Sequence, residues 1–86
     1  MFSNTQDFLS IVIPVYNEEK IAREFFEKLK GEMRSLHITY EIIAVNDGSN
    51  DNSHEILKNI SDIVVIHNPY NLGYGASLKK GLKVAH

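Results

Sequence analysis

Hydrophobic residues along the chain fall into three short runs, separated by longer stretches in which they recur every three or four positions. The first run, Leu9 to Val15, is continuous and rich in β-branched residues, and Pro14 predicts that a strand ends there. Tyr40 to Val45 and Asp62 to His67 form the second and third runs. Continuous apolar runs are typical of strands covered on both faces, so we expect a parallel sheet.

The stretches that follow these runs predict three helices. The first covers Glu18 to Leu36, with Asn17 as its N-cap, the second covers Asp51 to Ile60, and the third begins near Gly75. The residues expected to face the core are Ile21, Phe25, Leu29 and Met33, widened by Phe26 and Leu36, in the first helix, Ile56, Leu57 and Ile60 in the second, and Ala76, Leu78, Leu82 and Ala85 in the third.

The resulting order βαβαβα, with short connections, predicts an α/β fold. Right-handed crossovers between parallel strands give a three-layer, Rossmann-like half with a three-stranded sheet in the order 3-2-1. We expect residues 1–7 to form an N-terminal tail and residues 8–86 to form one domain.

Composition narrows the class of protein. Of the 86 residues, 43% are hydrophobic and 23% charged, which excludes a disordered or low-complexity chain. The net charge of −2 gives no electrostatic basis for binding nucleic acid. There is no cysteine, so neither a disulfide nor a thiolate metal site is available, and no apolar run approaches the ~20 residues of a transmembrane helix. We therefore expect a soluble protein.

Polar and glycine residues cluster directly after each predicted strand. Ligands of open parallel sheets bind outside the carboxyl ends of the strands, and the helix N-termini found there favour anions such as phosphate. A carboxylate at Asp47 is suited to accept from a base or a ribose hydroxyl, and the ring of Tyr16 is suited to stack on a base. Together these loops indicate a nucleotide site.

Simpler explanations exist for the same residues. Asn17 and Ser49 are also good helix caps, Asp47 and Gly48 also suit a turn, and glycines also serve tight loops. The glycines complete no dinucleotide fingerprint, and no Walker lysine motif is present. The four histidines, His37, His54, His67 and His86, show no metal-ligand spacing, which favours surface or packing roles.

Taken together, three segments in order resemble the N-terminal part of family 2 glycosyltransferases, and within them the polyprenyl-phosphate and dolichol-phosphate sugar transferases. The segments are residues 12–19 (VIPVYNEE), 41–49 (EIIAVNDGS) and 71–76 (NLGYGA) continuing to Gly81, and the likeness covers residues 8–86. The resemblance implies the GT-A fold, whose Rossmann-like sheet binds a UDP- or GDP-linked sugar together with Mg²⁺ or Mn²⁺.

The resemblance also implies roles for individual residues. Pro14, Tyr16 and Glu18 would line the base and ribose pocket, Asp47 would hold the nucleoside beside Asn46, Ser49 would shape that loop, and Asn71, Gly73 and Gly75 would let the backbone approach the nucleotide. The sequence departs from the family at position 46, where many members carry a second aspartate. We therefore assign the nucleoside contact to Asp47 ahead of Asn46.

A second departure concerns the metal. Family members carry a further strand that ends in Asp-x-Asp and holds the metal, whereas here no Asp follows Asp62 and no Glu follows Glu55. The sequence thus predicts the nucleotide-sugar-binding portion of an enzyme that acts on an acceptor such as a polyprenyl phosphate, with no metal site and no catalysis of its own. The resemblance implies a cytoplasmic location, at the membrane face through a lipid-linked acceptor.

Without that strand, Leu9 to Val15 would form an aliphatic sheet edge that carries no charge. Such edges recruit other chains, so the sequence predicts a homodimer through the first strand. Two alternative functions remain open, namely a nucleotide-binding module without catalysis and a structural, self-associating α/β module.

Overall fold

The computed structural model describes residues 8–85, which form the predicted βαβαβα order. The elements are β1 (Phe8–Val15), α1 (Ala22–Ser35), β2 (Thr39–Asp47), α2 (Ser53–Lys58), β3 (Val64–Asn68) and α3 (Tyr74–Val84). The predicted tail, residues 1–7, and His86 lie outside the described residues. The α/β class is confirmed, and β2 runs two residues further than its apolar run predicts.

The three strands are parallel, and β2 lies between β1 and β3. The order β1-β2-β3 has the same neighbours as the predicted 3-2-1, counted from the opposite edge. Ile13 pairs with Ala44, and Ala44 pairs with Val65, so these three side chains share one face of the sheet. The next residues along each strand face the other side.

Helices cover both faces of this sheet, which gives the predicted three layers. On one face, Phe26 of α1 and Leu57 of α2 join Ala44 in the main hydrophobic cluster. On the other face, α3 crosses β1 and β2, and its Gly81 lies against Val12 and Val45. Ile42, Ile43, Ala44 and Val45 of the central strand are completely or almost completely buried as a result.

Helix α1 differs from its prediction in both its start and its buried face. The helix begins at Ala22 rather than Glu18, and Ile21 rather than Asn17 occupies the N-cap. Its buried residues are Ala22, Phe26 and Lys30, while Ile21 and Phe25 are about half exposed. The predicted stripe was therefore wrong at Ile21 and Phe25, whereas Phe26 is in the core and Leu29 packs against it as predicted.

The buried Lys30 explains why a periodicity of apolar residues missed this face. Its Nζ donates to the carbonyl oxygen of Ser61 at 2.7 Å and lies 3.3 Å from the carboxylate of Glu27. A lysine stem packs like an aliphatic chain while its charged end reaches a partner, so it completes the stripe in place of an apolar residue.

The inward face predicted for α3 was correct only in part, because Ala76, Leu78 and Ala85 are half-buried but Leu82 is not. Ser77 and Gly81 are the buried residues of this helix, whereas Leu82 is 64% exposed. A methyl group added at Gly81 would collide with the side chain of Val12. Only small residues fit where the helix axis lies this close to the sheet, so the larger residues turn outward.

The described part of the chain contains no helix with the length and apolar character needed to cross a bilayer.

Candidate functional site

A cleft lies at the carboxyl edge of the sheet, on the α3 side. It is lined by Pro14, Tyr16, Glu18, Asp47, Asn71, Gly73 and Tyr74. Six of the nine residues predicted for the site thus meet in one cleft, because the ends of parallel strands β1 and β2 and the start of α3 converge there. The sequence did not single out Tyr74, whose side chain is 69% exposed.

The other three predicted residues lie outside this lining. Asn46 is completely buried on the opposite face of the sheet, because neighbouring residues of a strand point to opposite sides. The Ser49 hydroxyl donates to the Oδ1 of Asn46 at 2.6 Å. Gly75 is an exposed residue in the first turn of α3, with open space around it.

Asp47 is the best-connected residue of the cleft. Its Oδ1 accepts the backbone N–H of Leu72 at 2.8 Å and the Nδ2 of Asn68 at 3.0 Å, and its Oδ2 accepts the N–H of Gly73 at 3.0 Å. The side chain is 3% exposed. The carboxylate therefore fixes the turn that leads into α3, whatever else it contacts.

These hydrogen bonds determine the charge state of Asp47. Burial raises the pKa of this carboxyl, but the N–H of Leu72, the amide of Asn68, the N–H of Gly73 and the hydroxyl of Ser77 together lower it below its usual 3.8. Donors that stabilise the charged form outweigh desolvation. Asp47 is therefore a carboxylate at neutral pH.

Two further buried polar residues, Asn68 and Ser77, are hydrogen-bonded to Asp47. Asn68, the last residue of β3, donates its Nδ2 to Asp47 and to the Oγ of Ser77, at 3.0 and 3.2 Å. Both Asn68 and Ser77 are completely buried. No sequence signal marked Ser77, because a serine within a helix usually faces solvent. Its contacts, Asn68 and Asp47, are also distant from it in the sequence.

The loop after β1 is hydrogen-bonded to the loop after β2. The backbone N–H of Asn17 donates to the Oγ of Ser49 at 2.9 Å, and the N–H of Glu18 donates to the Oγ of Ser53 at 2.8 Å. In return, the Oδ1 of Asn17 accepts the N–H of Asn50 at 2.8 Å. Asn17 and Ser49 thus bridge two loops and cap neither helix, which removes the simpler explanation for them.

Gly48 brings the loop after β2 against the loop after β3. Its φ of +67° lies in the left-handed region that favours glycine. A Cβ at this position would also collide with the backbone of Tyr70 and Asn71. These two loops can approach one another this closely only because residue 48 has no side chain.

The described residues do not fit a metal centre. No group of three or more histidine, cysteine, aspartate or glutamate side chains with suitable geometry occurs among residues 8–85. The one buried carboxylate of the cleft, Asp47, already accepts hydrogen bonds on both oxygens.

Two histidines that the sequence did not associate lie next to each other on the face of the sheet opposite the cleft. The rings of His54 on α2 and His67 on β3 have centroids 4.1 Å apart and planes tilted by 33°. The Nδ1 of His67 lies 2.9 Å from the Nδ2 of Asn46. Their thirteen-residue separation matches no helical or strand period, so only the sheet register and the position of α2 could reveal this pair.

A second depression, between β1 and α1, is less suited to a polar ligand. Its walls include Ile13, Ile21, Phe25 and Phe26, with Glu18 as the acidic residue at the rim. The edge cleft offers carboxylate, amide and aromatic groups together, which is the combination that small polar ligands need.

The sequence of this chain is similar to those of several known proteins. A family profile described as Glycosyl transferase family 2 matches residues 10–86. A dolichyl-phosphate beta-glucosyltransferase of Trichomonas vaginalis is 32% identical over 90 residues, covering 94% of this chain and 28% of that protein. An undecaprenyl-phosphate 4-deoxy-4-formamido-L-arabinose transferase of Proteus mirabilis is 43% identical over 70 residues, covering 78% and 22% respectively.

A glycosyltransferase of Bacillus subtilis without an assigned reaction is 39% identical over 80 residues, covering 88% of this chain and 25% of that protein. The chain therefore spans about a quarter of the length of the curated relatives it matches.

Proposed function

This chain belongs to glycosyl transferase family 2, and on that premise we propose that its edge cleft binds the nucleoside of a nucleoside-diphosphate sugar. The observation that carries the proposal is the convergence of Pro14, Tyr16, Glu18, Asp47, Asn71 and Gly73 on one cleft. Ligand sites of open parallel sheets occur at this edge.

Each part of the cleft suits one part of a nucleoside. The Tyr16 ring is 44% exposed and offers a face on which a base can stack. The carboxylate of Glu18 and the amide of Asn71 are polar groups suited to ribose hydroxyls and base edges. Asp47 holds the Leu72–Gly73 backbone in place and faces the cleft from its floor.

Calorimetry on the 86-residue chain with UDP and with GDP tests the proposal. We expect binding of at least one nucleotide, weakened about 5- to 150-fold by Tyr16→Ala, the range that loss of a base–aromatic stack produces. Tyr70→Ala is the matched control, because Tyr70 is also exposed but does not line the cleft. No binding at millimolar nucleotide, or equal weakening in both variants, would contradict the proposal.

The wider reaction is proposed by analogy with the relatives. Since two of them are named for transfer to dolichyl phosphate and undecaprenyl phosphate, we propose that the complete protein transfers a sugar to a polyprenyl phosphate at the cytoplasmic face of a membrane. An assay of the complete protein with UDP- and GDP-sugars and a polyprenyl phosphate, with and without Mn²⁺, tests this step. Transfer only to a soluble acceptor would contradict it. That the 86-residue chain does not transfer sugar by itself stays a prediction.

One observation favours a second property, which is self-association. β1 is an edge strand of the described sheet, and its Phe8 and Leu9 are 44% and 43% exposed. An open edge offers unpaired backbone groups to another strand. We propose a homodimer through this edge, to be tested by light scattering over a range of concentrations. A mass that stays monomeric at every concentration would rule it out.

A further inference from the structure

His67 and Asn46 are linked through their side chains at the ends of adjacent strands. They are direct partners in the register of β2 and β3, and the Nδ1 of His67 lies 2.9 Å from the Nδ2 of Asn46. In the orientation in which the Oδ1 of Asn46 accepts the Ser49 hydroxyl, its NH₂ faces His67 and can only donate, which assigns the acceptor role to Nδ1 and leaves it without a proton. The proton of the neutral ring is therefore on Nε2.

Asn46 is also hydrogen-bonded to Ser49, which connects it to the loop after β1. Its Oδ1 accepts the hydroxyl of Ser49 at 2.6 Å, and the Oγ of Ser49 in turn accepts the backbone N–H of Asn17 at 2.9 Å. Asn46 is completely buried, so water cannot readily replace either partner. A continuous chain of hydrogen bonds thus runs from β3 through β2 to the loop after β1.

The end of this chain is a conformationally restricted residue beside the cleft. Asn17 has a φ of +52°, in the left-handed region that costs a residue with a side chain free energy. Its neighbours Tyr16 and Glu18 both line the cleft. The bond from Asn17 to Ser49 is therefore well placed to hold the two cleft residues in position.

His54 covers one face of the His67 ring and resists protonation. Burial lowers the pKa of His54 first, and the nearby charges of His67 and Lys58 lower it further, while Glu55 opposes them. Lys58 and Glu55 lie on α2, and β2 contributes the uncharged Asn46. His67 is the exposed ring of the pair.

We propose that His67 is a positioning residue, which acts through Asn46 and Ser49 to hold the loop after β1 while its Nδ1 is unprotonated. A proton on Nδ1 sets two donors against each other, so the amide of Asn46 turns to present Oδ1 to His67 and Nδ2 to Ser49. The Oγ of Ser49 then accepts from both Asn46 and Asn17 and no longer donates to Asn46, which makes it a weaker acceptor for the N–H of Asn17. The loop that carries Tyr16 and Glu18 is loosened, whether or not a nucleotide is the ligand.

Nuclear magnetic resonance of the ¹⁵N-labelled 86-residue chain tests this inference during a titration from neutral to mildly acidic pH. We expect the neutral ring of His67 to carry its proton on Nε2. The backbone amide signals of Asn17 and Ser49 should shift with the same midpoint as the His67 ring, and exchange of the Asn17 amide with solvent should accelerate about tenfold as the bond it makes is weakened by ~1.4 kcal/mol.

Two variants separate positioning from a general effect of acid. His67→Gln keeps an acceptor but does not titrate, so the Asn17 signal should lose its pH dependence. His37→Asn is the control, because His37 is exposed in the turn before β2 and its φ of +57° suits asparagine. It should leave the Asn17 titration unchanged.

Three results would overturn the inference. They are a neutral His67 protonated on Nδ1, an Asn17 signal that titrates with a midpoint different from that of His67, and an Asn17 titration that persists in His67→Gln. The first two are read from the unmodified chain and do not depend on whether a variant folds.

Discussion

The carboxylate of Asp47 accepts the backbone N–H of Gly73 at 3.0 Å, which joins the last residue of β2 to the residue that precedes α3. The same carboxylate accepts the N–H of Leu72 at 2.8 Å. One buried side chain thus determines how a strand end and a helix start meet, and the cleft between them depends on it.

Replacement of this carboxylate by an amide should destabilise the fold. Asp47→Asn sets an NH₂ donor against backbone N–H donors and removes hydrogen bonds to a charged acceptor, which we expect to lower the free energy of unfolding by about 2–3 kcal/mol. Urea denaturation measures this change. Asp62→Asn is the control, because Asp62 is exposed, and it should stay within ~0.5 kcal/mol of the unmodified chain. Equal effects in the two variants would contradict the prediction.

The same residue should contribute to acid sensitivity. Because the pKa of Asp47 in the folded chain lies below its usual 3.8, the unfolded state binds the proton more readily. The stabilisation is therefore present above pH ~4 and is lost as the pH falls through the folded value. Denaturation at a series of pH values should show the unmodified chain and Asp47→Asn converging in this range. A constant difference down to pH ~2 would argue against it.

His54, a basic group, should give the free energy of unfolding a second pH dependence that is separate from that of Asp47. Its folded pKa is lowered from 6.5, chiefly by burial, so the unfolded state again binds more protons. Its contribution is complete above pH ~6.5 and declines as the pH falls from there toward the folded value. His54→Phe keeps a ring but cannot titrate, and should flatten the free energy of unfolding over this window. His37→Asn, at an exposed position, should not.

The two glycines of α3 should respond in opposite directions to alanine. Gly81→Ala inserts a methyl group into the side chain of Val12 and should destabilise the fold by about 1–3 kcal/mol. Gly75→Ala meets open space within the same helix and should stabilise it by about 0.5–1 kcal/mol. Thermal or urea denaturation of both variants compares them directly. A destabilised Gly75→Ala with a neutral Gly81→Ala would show that α3 does not pack as described.

The predictable part of the fold rested on local signals. Apolar runs predicted three parallel strands, and the chain order of strands and helices predicted the three layers, because sheet handedness leaves few alternatives. The buried faces of α1 and α3 were predicted only in part. In both, a residue that sequence reasoning counts as polar or small, such as Lys30 or Gly81, occupies the packed position.

The sequence by itself determined the order of the elements, the edge of the sheet at which polar residues gather, and the family resemblance of its three loops. Only the tertiary structure decided what each of those residues contacts. Asn46 and Asp47 are neighbours in sequence, yet side chains of successive strand residues point to opposite faces of the sheet. Asn46 therefore contacts His67, whereas Asp47 lines the cleft. Contacts of this kind depend on register and on helix position, which pair residues that no local pattern connects.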